Sequence, residues 1–375
     1  MTYETLASRA RFAEYAEQWD DLVRLKPRPS PFMLHGLLDA WWEHHGAERE
    51  MRVEIASQDG RLLGGVALEV ERRHGLRIAH FMGRHHAALA DVLLANDAPT
   101  EVAQELARRI GRAGGDYVDL FGLPGGSRLA GVLPQPATSF VRVEAPVVDI
   151  TAGWETVYRE KTSSKRRNLH KRRRRQLEEL GDLSITIARS TNELVPALEA
   201  SFLLHDLRWN GRPDGSEFTT PPGREFNRAA IKALGDAGIA RILLLTLDRK
   251  PIAFQYYFLF ERGMYVHRLA FDPALARFSP GQVAILAAIG AAAEEGVTHV
   301  EFLGGNERYK LELADGNDPM HQIICCPRGI RGAVGSRVAA GSISARLRLK
   351  RSESLHKLYV DRLAPLRRAV RGRSA

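Results

Sequence analysis

Cysteine is nearly missing from this chain: there are two in 375 residues, Cys325 and Cys326, side by side in an apolar run. Neighbours along a strand point to opposite faces, so no disulfide is expected between them, and the disulfide-stapled secreted scaffolds drop out. A reducing, cytoplasmic setting is the expectation. No window approaches the ~20 unbroken apolar residues of a membrane helix. The opening "MTYETLASRARFAEYAEQWD" lacks the apolar centre of a signal peptide. Acidic residues thin out near the end. From Arg328 to Ala375 there are two, against thirteen Lys and Arg, so this stretch carries +11 and the remainder sums to −2. A near-neutral body with basic islands argues against a dedicated nucleic-acid binder, whose binding face would dominate the balance.

What is present is ordinary globular material, 44% hydrophobic and 26% charged, at a length that favours two domains. Over residues 1–150 the periodicities predict helices in "FAEYAEQWDDLVRL" and "PFMLHGLLDAWWEHHG", three short strands from Met51 to Gly83, a helix in "APTEVAQELARRIGRAGG", and strands "DYVDLFGL" and "FVRVEAPVVDI". Residues 151–327 repeat the order: a helix over 154–180, strand "LSITIA", a helix over 192–209, three strands from Ala240 to Phe271, helix "SPGQVAILAAIGAAAEEG", strand "VTHVEFLG", a short helix and strand "MHQIICC". This reads as one α/β unit of about 150 residues in tandem, followed by a basic, partly helical tail over 328–375.

Chemistry concentrates in the second unit. "LAFDPALARFSPGQVAIL" runs strand, turn, helix start, which gathers free backbone N–H groups and the positive helix end into an anion site. Arg277, Phe278, Ser279, Gly281, Gln282 and Val283 form this candidate site. "HVEFLGGNERYK" delivers Asn306, Tyr309 and Lys310 beyond the C-terminal end of a strand, where parallel α/β sheets bind ligands, and His299 and Glu301 share a face within that strand. On the helix carrying "LHDLRW", His205, Arg208 and Trp209 lie near one apolar face. His205 is a candidate base. No metal site is expected. Finally, "KTSSKRRNLHKRRRRQLEEL" has nine Lys or Arg in its first fifteen residues but only a thin apolar stripe, so its charge is expected to face solvent.

The element order of 151–327 resembles the GNAT acyltransferase fold. The blocks "KTSSKRRNLHKRRRRQLEELG", "LHDLRWNGR", "FDPALARFSPGQVAIL" and "EFLGGNERYK", with "SPFMLHGLLDAWWEHHG" upstream, resemble the GNAT-type acetyltransferases associated with cellulose and exopolysaccharide biosynthesis. The likeness spans roughly residues 15–320, and the architecture is similar to that of the Fem-type aminoacyl transferases. It implies α/β (α+β) architecture: two GNAT-like units, each a mixed sheet covered by helices. It also implies acetyl-CoA or another acyl-CoA as substrate, with its diphosphate at the 277–283 turn. "RFSPGQ" departs from the family's Q/R-x-x-G-x-G/A, because Pro280 stands where an N–H is normally donated.

The implied reaction is direct attack by a small-molecule or saccharide-linked amine on the thioester. His205, His267 or Glu301 would act as base, Tyr309 would protonate the thiolate, and Arg208, Trp209, Asn306 and Lys310 would bind substrate. Aminoacyl transfer from tRNA is the alternative, as is a non-catalytic scaffold at an anionic, inner membrane surface held by the basic tail.

Overall fold

The computed structural model describes residues 1–351, except 87, 114, 210–215 and 306. Asn306 and the tail beyond Arg351 therefore lie outside the described residues. The first part of the chain forms β1 (Thr2–Leu6), α1 (Arg9–Ala13), α2 (Ala16–Arg24), α3 (His35–His45), β2 (Arg49–Gln58), β3 (Arg61–Arg73) and β4 (Leu76–Phe81). It continues with β5 (Leu93–Leu94), α4 (Thr100–Ala113), β6 (Tyr117–Pro124), β7 (Ala137–Val143) and β8 (Pro146–Asp149). Then come α5 (Trp154–Lys161), α6 (Ser164–Glu178), β9 (Leu183–Ala188), α7 (Thr191–Trp209) and α8 (Pro221–Asp236). The hairpin strands β10 (Ala240–Leu247), β11 (Lys250–Phe260) and β12 (Gly263–Phe271) precede α9 (Pro280–Glu294) and β13 (His299–Glu301). Last are α10 (Arg308–Leu313), β14 (Gly316–Asn317), β15 (Met320–Cys325) and α11 (Gly329–Arg351).

Two mixed sheets result, ordered β1-β2-β3-β4-β6-β15-β7 and β14-β8-β13-β12-β11-β10-β9, with β5 beside β3 in the first. The repeat read from the sequence is real at the level of pairing. In each sheet antiparallel strands lead to one parallel pair, β4 with β6 and β12 with β13, and an antiparallel strand follows. The strand that follows is exchanged between the units. β15, inside 151–327, pairs with β6 and β7, while β8, inside 1–150, pairs with β13. The sheets are thus tied covalently in both directions across residue 150.

The units also share a core. Leu37, Leu38 and Trp41 of α3 belong to one buried cluster with Phe226, Ala230 and Ile231 of α8. A Cβ on Gly36 would stand 3.3 Å from Ala233 Cβ, so the two helices meet at their small residues. The segment before α3 lies over the second sheet: Tyr265 Oη donates to Pro29 O at 2.6 Å, and Phe32 packs edge-on against Phe258 at 5.5 Å.

Several boundaries differ from expectation. The helix expected over 154–180 breaks at Thr162, and Ser163 restarts it by accepting from the Arg166 N–H at 3.3 Å. Along α6 only Leu177 is buried, so the basic run faces solvent as the thin stripe implied. The helix expected at 12–25 is likewise two, α1 and α2. α8 has no counterpart in the series above, although Thr220 caps it onto Gly223 N and Pro221 opens it.

Candidate active site

β12 and β13 run together only over Gly263–Tyr265 and His299–Glu301, after which they part. β13 stops there because the chain turns away through Leu303 (φ 59°) and Gly305 (φ 96°). The edge of β12 that β13 leaves open forms the wall of a cavity of about 640 Å³. Val266, His267, Arg268 and Leu269 supply that wall. Its register is interrupted there: Tyr256 pairs with Arg268 and Tyr257 with Val266, so His267 sits in a bulge with no residue opposite. Gln255, fully buried, donates from Nε2 to Tyr256 O (3.0 Å) and Arg268 O (3.1 Å), satisfying carbonyls that the bulge displaces.

Ser279, Gly281 and Gln282 close one end of the cavity, His205, Arg208 and Trp209 of α7 another, and Tyr309 and Lys310 a third. The first unit contributes His86, Phe121 and Val143. His86 was not anticipated from sequence. It is 7% exposed, lies in a short 3-10 turn after β4, and its Nε2 is 2.9 Å from Glu217 Oε2 of the second unit. With Nε2–H donated to that carboxylate, Nδ1 carries the lone pair.

Residues 164–311 match the family described as Acetyltransferase (GNAT) domain. The second unit carries a GNAT acetyltransferase domain. This match supports acyltransferase activity. Across the whole chain the fold is that of paired GNAT units. A structure described as FemX superposes with a TM-score of 0.57 at 11% identity, over 88% of this chain and 98% of that one. A tandem GNAT protein from the clavulanic acid biosynthesis pathway gives 0.50 at 12%, over 88% and 100%. L-PGS from Bacillus licheniformis gives 0.50 at 14%, over 80% and 95%. No curated protein matches the chain significantly in sequence.

Within the GNAT domain, the turn before α9 is leaner than its sequence suggested. Ser279 adopts φ 54°, ψ 53°, its N–H bonds to Ala276 O, and the Gln282 and Val283 amides both bond to Ser279 O. Pro280 has no N–H, which leaves the Gly281 amide, Ser279 Oγ and the Gln282 side chain for an anion. Phe278 and Val283 belong to the hydrophobic core, and exposed Arg277 lies over the Phe278 ring at 4.5 Å. These three do not line the cavity. Gly281 is required by packing: a Cβ would come 2.9 Å from Phe271 Cδ1 and 3.0 Å from Leu269 Cδ2.

Two further expectations are corrected. Glu301 does not line the cavity, because Arg28 holds it bidentately at 2.8 and 2.6 Å. Lys310 lines it, but its Nζ is spent on Gly304 O and on Glu307, shaping the glycine turn.

Burial lowers the His205 pKa to about 4, with Arg268 adding to the effect, and lowers that of His267 well below the usual range. Burial raises the Tyr309 pKa, so the phenol stays protonated at neutral pH. His205 is 3% exposed and neutral in the native state. An unfolded histidine titrates near 6.5, so between 6.5 and 4 the unfolded chain binds more protons than the native one. Stability is then full above about pH 6.5 and falls toward pH 4, by about 3 kcal/mol for this group. His45 and His170, each lowered to about 4 by burial, act in the same direction. Denaturant titrations from about pH 7.5 to 4.5 should show this decline, less steep in His205→Gln; parallel wild-type and variant curves would contradict it.

Proposed function

We propose that the protein transfers an acyl group, acetyl in the first instance, from acyl-CoA to the amine of a small or saccharide-linked acceptor. The supporting observation is the convergence on one cavity of an uncovered, bulged strand edge, a helix start, a protonated phenol and a carboxylate-held histidine from the other unit. The amine nitrogen attacks the thioester carbon, the new C–N bond forms and the C–S bond breaks. The amine proton passes to His86 Nδ1, and the departing thiolate is met by the Tyr309 hydroxyl. Amides along the open edge of β12 face the developing oxyanion, and the enclosure supplies proximity. His86 suits the base role better than His205 or His267, because burial, with Arg268 adding to it, opposes protonation of both of those rings, whereas the Glu217 carboxylate lies against the His86 ring.

The basic helix has a place in this reading. α6 packs against α9 and the 3-10 turn Pro273–Phe278, and Arg173 Nη1 lies 3.5 Å from Gln282 Oε1. Lys171 and Arg172, exposed and in no ion pair among the described residues, would steer the CoA phosphates toward the turn. Calorimetric titration with acetyl-CoA tests the placement. Gly281→Val should weaken binding by about tenfold or more, since the new methyls displace Leu269 or Phe271 and with them the helix start. Lys171→Gln with Arg172→Gln should weaken it by about threefold, and less at high salt. Unchanged affinity in Gly281→Val would remove the turn from the account.

The paired-unit likeness to FemX supports aminoacyl transfer from tRNA as the second reading. Binding of tRNA that falls steeply with salt, together with no response to acetyl-CoA, would select it.

A further inference from the structure

A second cavity, of about 840 Å³, lies between α11 and the face of the first sheet turned away from α4. Gly332 sets how closely α11 sits: a Cβ there would come within 2.1 Å of Asp116 O on the loop entering β6. Three features of the cavity lack a partner within the protein.

The first is a pair of like charges. Arg142 of β7 and Arg346 of α11 face one another, and neither is in an ion pair with any described residue. The Arg142 Nε is sealed from solvent with no acceptor, and burial together with Arg346 lowers the Arg142 pKa. The acids nearby are engaged elsewhere: Asp119 accepts from Gln322 Nε2, and Glu71 holds Arg84 and His80. Half-buried Arg142 and exposed Arg346 repel each other, with the Asp119 charge offsetting this only in part, and an anion between them removes the conflict.

The second is Gln322, 7% exposed, whose Oε1 is buried without a donor. Its amide orientation is set by Asp119, which can only accept, so the orphan on the other side is an acceptor. The third is an apolar stripe. Ile330, Val334 and Val338 recur every four residues on α11 and line the cavity mouth while 85%, 54% and 67% exposed. They span about 12 Å of helix.

We propose that this groove binds a single-chain alkyl or acyl phosphate. The phosphate oxygens bridge Arg142 and Arg346, the P–OH of the monoanion donates to Gln322 Oε1, and the hydrocarbon chain lies along Ile330, Val334 and Val338. A phosphate fits better than a carboxylate because it supplies several acceptors and one donor at once. The chain's own residues 352–375 are unsuited as occupant, since six Lys and Arg against two acids give that segment +4, the same sign as the site. This site is independent of the acyl-transfer reading, and it meets the reaction cavity only at Phe121, which lines both.

Calorimetry of the full chain with decyl phosphate, below its micelle concentration, tests the proposal directly. Decyl phosphate should bind at least about tenfold more tightly than decanol, decanoate or inorganic phosphate. Arg142→Met and Val334→Asp should each weaken it by about tenfold, with melting temperatures near that of the wild type, because one removes an unpaired charge and the other alters an exposed position. Equal binding of decanol or of inorganic phosphate, or unchanged affinity in both variants, would overturn the assignment. So would the absence of any heat or competition with decyl phosphate.

Discussion

Glu301→Ala is expected to cost about 3 kcal/mol of stability, because it leaves largely buried Arg28 with only the Asp318 carboxylate beside it. Arg28 Nε and Nη2 donate to the two Glu301 oxygens at 2.8 and 2.6 Å, and the carboxylate is 3% exposed. Arg28 Nη1 approaches Asp318 Oδ2 at 2.7 Å as a charge contact on the other side. The three residues come from the segment before α3, from β13 and from the segment before β15, so the triad ties the first unit to the second beside the site where β12 and β13 separate. Replacing both members of the bidentate pair, Arg28→Met with Glu301→Met, should recover most of the loss, since an apolar pair leaves no charge unsolvated. Urea denaturation of the three variants measures this. A single variant within about 1 kcal/mol of the wild type would mean the carboxylate is not structural.

His86→Ala should lower kcat by about 10²–10⁴ and leave the affinity for acyl-CoA nearly unchanged. The histidine touches neither the helix start nor α6, so removing it takes away proton acceptance and not cofactor contacts. Glu217→Gln should give a smaller loss, since it keeps a hydrogen-bonding group beside Nε2 to hold the ring. Release of free thiol from acetyl-CoA over a panel of primary amines is the readout. Equal rates for wild type and His86→Ala would return the base role to α7 or β12. His205→Gln is expected to change the rate less than His86→Ala, with its clearest effect in the pH dependence of stability.

The alternation of apolar positions in "PIAFQYYFLF" and the Ser279–Pro280 start were enough to place the hairpin β11–β12 and α9. From those the cavity-lining Ser279, Gly281 and Gln282 were legible, as was Tyr309 beyond β13, whereas His267 came from the family resemblance. The strand exchange was not. Which sheet β15 joins is decided by pairing with β6 and β7, more than 170 residues earlier, and a six-residue apolar strand carries no mark of its partner. Glu301 illustrates the same limit. Alternation placed it beside His299 on one face, but only the fold brings Arg28 to it.

His86 was overlooked because "GRHHAALAD" has neither helical nor strand periodicity, so nothing in its pattern aims it across the units. A signal was available: a histidine pair directly after β4 occupies the place, in the first unit, where the second unit sets its own ligand turn after β12. α8 could likewise have been found from its Thr220 cap and Pro221 start.

In the proposed reaction an acyl-CoA runs from the α9 start into the gap between β12 and β13. A structure determined with acetyl-CoA bound tests it most directly. The expected result is a diphosphate at the Gly281 amide and a thioester carbonyl against the open edge of β12, within reach of His86 and Tyr309. Cofactor bound elsewhere, with that gap filled by protein side chains, would contradict it.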